Sequence, residues 1–80
     1  MPEVFADFNR LEEWPGVGRV IPLGSLTRHP ELAALEGQTV ILTDRLDLRA
    51  QGRITQIDDW WFGVLTSPIE DIPESSLKAG

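Results

Sequence analysis

The chain has no cysteine, one histidine (His29), one lysine (Lys78) and no long apolar run. Without cysteine there is neither a disulfide framework nor a thiolate metal site. A lone histidine makes a His-rich metal site or a Cys–His pair impossible. Its place directly before Pro30 reads as a capping or exposed position. A membrane-spanning helix needs about 20 mostly apolar residues, and no such stretch occurs. The start, Met1 to Asp7, lacks a basic segment followed by an apolar run, so it does not read as a signal peptide. A cytoplasmic location is the expectation that remains.

Catalytic patterns are missing as well. None of Ser25, Ser67, Ser75 or Ser76 stands in G-x-S-x-G, and no phosphate-binding G-x-x-x-x-G-K-[ST] occurs. Gly16-Val17-Gly18 opens no helix of a βαβ unit, so it does not read as a dinucleotide site. Glu12-Glu13, Asp58-Asp59 and Glu70-Asp71 are adjacent acids. Glycoside hydrolysis needs two carboxylates facing each other across a pocket, whereas neighbours on a strand or turn diverge. Asp44, Asp47, Asp58 and Asp59 offer oxygen ligands for a divalent cation, but their spacing fits no calcium loop. The expectation is a protein without enzymatic activity, cofactor, metal or small-molecule substrate.

What is present describes a small globular domain. Apolar residues form 41% of the chain and charged residues 25%, enough apolar surface to offset the entropy of ordering. Eighty residues make one domain, which buries roughly 60% of its unfolded surface. Residues 1–74 are expected to form it, with 75–80 a frayed C-terminal tail. The formal net charge of −6 disfavours nucleic acid and anionic membrane and favours a basic partner.

Apolar periodicity predicts five strands and one short helix. Val4 to Phe8 alternates with a period of two. The segment from Asn9 to Gly18, with Trp14-Pro15-Gly16, reads as a loop. Val17 to Leu23 reads as a second strand, with Pro22 at an edge or near the strand's end and Gly24-Ser25 as its stop. A short helix is expected at about 30–36, from Pro30 at its first position to Gly37 just past its end. Gln38 to Thr43 is a third strand. Leu48, Ala50, Gly52 and Ile54 alternate with Arg49, Gln51, Arg53 and Thr55, the pattern of a half-buried fourth strand. Ile57 breaks that alternation and suggests a bulge. Asp58-Asp59 turns the chain into a fifth strand, Trp60 to Thr66, and Ile69 and Ile72 are spaced for one helical or 3₁₀ turn. The predicted fold is mainly β, a small SH3-like, partly open barrel. An α+β roll is the alternative if the first two strands pair apart from the rest.

Phe5-Ala6-Asp7-Phe8-Asn9, then Gly18-Arg19-Val20, Gly24-Ser25-Leu26, and Glu36-Gly37 leading into Val40-Ile41-Leu42-Thr43-Asp44, resembles a family of small bacterial proteins. These share an N-terminal F-x-D-F-N segment followed by G-R-V. The resemblance spans about residues 5–66 and departs at Trp14-Pro15-Gly16 and at the doubled Trp60-Trp61. The family is of unknown function. The resemblance implies a bacterial, cytoplasmic protein and carries no active site over to this chain.

The aromatics are the most informative residues. Trp60, Phe62 and Val64 leave one face of the last strand and Trp61, Gly63 and Leu65 the other, so both faces are apolar. A barrel has one interior. One set fills it, and the other lies under a loop carrying Trp14 or against a partner. The candidate partner-binding residues are Trp14, Trp60, Trp61 and Phe5, rimmed by Arg49 and Arg53. Pairing of the two arginines with acids on neighbouring strands is the competing expectation. Two functions follow: an interaction module that binds a protein partner or itself as a homodimer, or a small acidic neutraliser, antitoxin- or immunity-like, of a basic partner.

Overall fold

The computed structural model describes residues 1–72, and the expected frayed tail at 75–80 lies outside them. Seven strands form one sheet: β1 (Glu3–Phe5), β2 (Glu12–Trp14), β3 (Gly18–Ser25), β4 (Thr39–Thr43), β5 (Leu48–Ile57), β6 (Trp60–Leu65) and β7 (Glu70–Asp71). The spatial order is β1-β4-β5-β6-β3-β2, with β7 paired to β5. The mainly β class and the small size are as expected, but there are seven strands rather than five. The two extra strands are very short. Glu12-Glu13-Trp14 shows no alternation to read, and β7 follows Pro68 with only two residues in its ladder.

The ten-residue β5 is the spine. It pairs with β4 through Arg49–Arg53 on one side. On the other it pairs with β7 at Leu48–Arg49 and with β6 from Gly52 to Ile57. Its even-numbered core residues, Ala50, Gly52 and Ile54, are buried, as the sequence alternation indicates. The register to β6 runs without interruption to Ile57 opposite Trp60, so the bulge expected near Ile57 is absent. Ile57 keeps the alternation and belongs to the outer face. The sheet's irregularity lies instead in β3, between Pro22 and Gly24. Gly24 has φ +133°, and the His29 ring packs where its Cβ would stand. So Gly24-Ser25 continues β3 rather than ending it.

Two 3₁₀ segments complete the chain. In Phe8–Arg10, Asp7 is the cap: its carboxylate accepts the N–H of Asn9 at 3.0 Å. This turn carries the chain from β1, at one end of the sheet order, to β2 at the other. Pro30–Leu35 is the expected short helix, 3₁₀ in form, with Leu32 buried. The turn expected at Ile69–Ile72 is instead β7.

The core is built from alternate residues of the inner face. Val4, Ile21, Val40, Leu42, Ile54 and Trp61 are buried together, with Leu32 and Ala6 closing the ends. Leu42 lies across Gly52 and Gly63. A Cβ at Gly63 would stand 2.7 Å from Leu42 Cδ1, and one at Gly52 would stand 2.5 Å from it. The two glycines form a notch that the leucine fills. The Trp61 indole N–H is buried without an acceptor among the described residues.

The β4–β5 turn is held by Asp44, whose Oδ1 accepts the N–H groups of Leu46, Asp47 and Leu48 at 2.9, 3.1 and 3.0 Å. These donors, that of Leu46 first, hold the Asp44 carboxyl below its ordinary pKa. A hydrogen bond to Asp44 favours the protonated form of Asp47 and raises its pKa, aided by desolvation and by the charges of Asp44 and Asp71. This aspartate pair therefore serves the turn.

Candidate functional site

The sheet is open at one seam. β1 and β3 are not hydrogen-bonded to each other, yet Phe5 from the first, Asp7 just beyond it, and Pro22, Leu23 and Gly24 from the second line one groove of about 290 Å³. Arg10 and Trp60 complete its walls. β2 stops opposite Val20, so the second half of β3 has a sheet neighbour on one side only, β6. Pro22 sits on that open edge, where it lacks a donor to offer. Of the two places the sequence allows Pro22, an edge or the strand's end, it takes a local edge.

The two faces of β6 separate the neighbouring tryptophans. Trp61 is 2% exposed and belongs to the core, so it is not a partner-binding residue. The reason is Gly63, two residues on, whose missing side chain admits Leu42 to that face. Trp60 leaves the other face and is 40% exposed. Phe5, on the outer side of β1, is 56% exposed because its inward neighbours Val4 and Ala6 take the core positions.

Trp14 covers part of the outer face. Its ring packs on Phe62 with centroids 5.0 Å apart and planes tilted by 58°. Its indole N–H donates to Glu12 Oε1 at 2.9 Å. Val20 is fully buried on this side, opposite Val64. The N-terminal segment thus hides a portion of the second apolar face, as one of the two sequence readings held. The cover is incomplete. Val17 is 48% exposed and lines an open hollow of about 370 Å³ with Arg53, Thr55, Ile57, Val64 and Thr66. Ile57 stands opposite Trp60, which links this hollow to the seam groove.

The arginines divide. Arg49 Nε donates to Glu70 Oε1 at 3.0 Å across β5 and β7, the pairing with a neighbouring strand that the sequence allowed. It faces a different hollow, with Ile41, Gln51 and Pro68, and does not join the aromatics. Arg53 rims the Val17 hollow and forms no ion pair among the described residues. Val17, Ile57, Phe62 and Arg10 belong to this surface but are not among the residues picked out from sequence. The break in alternation at Ile57 was the available signal, and the bulge reading absorbed it.

His29 Nδ1 lies 3.2 Å from Glu31 Oε2, on the surface. Among the described residues, no three His, Asp or Glu side chains gather as a metal site. None of their helices is long and apolar enough to cross a membrane. Comparison of the chain with known families, with curated proteins and with solved structures finds no match.

Proposed function

We propose that this chain is a non-enzymatic protein-interaction module, an SH3-like, partly open barrel that docks on another protein through its aromatic outer surface. The observation that carries this reading is the seam groove, where Phe5 and Trp60 stand exposed on walls drawn from different strands. Exposed aromatics grouped around a concavity are the usual anchors of protein interfaces. The bacterial, cytoplasmic setting implied by the F-x-D-F-N resemblance is part of the same proposal.

Replacing Phe5 and Trp60 together by alanine tests it. Affinity capture from a bacterial lysate, read by mass spectrometry, is expected to lose its specific partner, while Leu46→Ala retains it. Leu46 is the control because it is 70% exposed but sits on the β4–β5 turn, outside the groove. Light scattering on the same proteins registers self-association. An unchanged captured set together with an unchanged molar mass for the double variant removes the proposal.

A further inference from the structure

The groove's charged neighbours select among occupants. Asp7 lines it, and Asp58 and Asp59 lead directly into Trp60 at the β5–β6 hairpin. Both hairpin aspartates are exposed, and their carboxylates form no ion pair among the described residues. Glu3 leaves the same outer side of β1 as Phe5 and is exposed. Among the described residues, Arg10 is the only cation lining the groove. The aromatic concavity is therefore set in a net negative surround on a chain of net charge −6.

A second copy of the chain meets this badly. A two-fold interface would bring the same net negative patch from each copy together. Such like-charge contacts oppose pairing. Strand addition is also hindered, because Pro22 interrupts the donors of the open β3 edge. A side-chain-recognised, cationic occupant satisfies both constraints. A guanidinium stacks on an indole face and pairs with carboxylates around it.

Resting on the interaction reading above, we infer that the Phe5–Trp60 groove takes an extended, arginine-bearing segment of another protein. An arginine lies against Trp60 within reach of Asp58 and Asp59. The segment's remaining apolar surface covers Phe5, Pro22 and Leu23. Binding of this kind weakens with added salt, since the carboxylates are solvent-exposed.

The test is a fluorescence titration of the whole chain with a short peptide of alternating proline and arginine, alongside its proline–glutamine counterpart. The arginine peptide is expected to bind and the glutamine peptide not. Trp60→Ala and the double variant Asp58→Asn/Asp59→Asn are each expected to weaken binding by about tenfold or more, equivalent to about 1.4 kcal/mol. Glu36→Gln/Asp71→Asn makes the same change in net charge at exposed sites outside the groove, and a change below about twofold is expected. Thermal melts establish that each variant is folded. Equal weakening by the two charge pairs, or no binding of the arginine peptide to the folded chain, overturns the inference. If the Phe5/Trp60 variant still loses its captured partner in that case, the interaction module survives and only the basic occupant falls. If capture is unchanged too, both fall.

Discussion

Leu42→Ala is expected to destabilise the fold by about 2–5 kcal/mol, since it empties the notch at the centre of the sheet. Leu42 is fully buried and lies over two glycines that offer no side chain to collapse into the space. Gly63→Ala alone is expected to cost about 1–3 kcal/mol by overpacking. All three heavy atoms nearest the added methyl group belong to Leu42. Combining the two changes therefore removes the clash and refills part of the cavity, so the double variant is more stable than the sum of the single effects. A cycle of chemical denaturation curves measures this coupling. Gly52→Ala behaves differently. Its methyl group also meets the Val64 carbonyl at 3.1 Å, and backbone does not yield when Leu42 is shortened. Additive losses in the Leu42/Gly63 cycle would mean that the leucine does not occupy the notch.

Trp61→Ala is the other large effect, about 3–5 kcal/mol, as expected for removal of a buried indole from a small core. Trp61→Phe is expected to cost much less. Phenylalanine keeps most of the apolar contact and removes an N–H that is buried without an acceptor among the described residues, a group whose desolvation opposes folding by about 1–3 kcal/mol. Trp60→Ala, one residue away, is expected to cost clearly less than Trp61→Ala, because its ring lies outside the core and is 40% exposed. Denaturation midpoints of the three variants decide this. Comparable losses from Trp60→Ala and Trp61→Ala would contradict the assignment of the two rings to opposite sides.

The spine of the fold was legible in the sequence because β5 is buried on one face and solvated on the other, so Ala50, Gly52 and Ile54 alternate with polar neighbours. Val40 and Leu42 on β4 take the inner face in the same two-residue step, although Ile41 between them is apolar as well. The short strands were not legible. Three residues ending in Trp14-Pro15-Gly16 carry no period, and β2 exists through its pairing with Arg19 and Val20. β7 depends in the same way on Leu48 and Arg49. Ile57 misled because an apolar residue out of phase suggests a bulge, when here the outer face is itself apolar.

The site was half legible. Two adjacent tryptophans on a strand dictate that one points inward, but local sequence does not say which. The deciding feature is non-local: Leu42 comes from another part of the chain and needs Gly63, which puts the Trp61 side inside. Arg49 was drawn off by Glu70, twenty-one residues along, a pairing that depends on a strand the sequence did not reveal. The groove between β1 and β3 joins residues far apart in the sequence on strands that are not paired with each other, so no local period marks it.

That Trp60 is offered to a partner while its neighbour is sealed inside can be tested directly on the free protein. The indole N–H signals of its three tryptophans, recorded by NMR with a soluble paramagnetic agent, report how closely solvent approaches each ring. Strong broadening of Trp60, weaker broadening of Trp14 beneath its contact with Phe62, and an untouched Trp61 are expected. Equal protection of Trp60 and Trp61 would mean that the chain covers both faces of β6 by itself, leaving no aromatic surface for another protein.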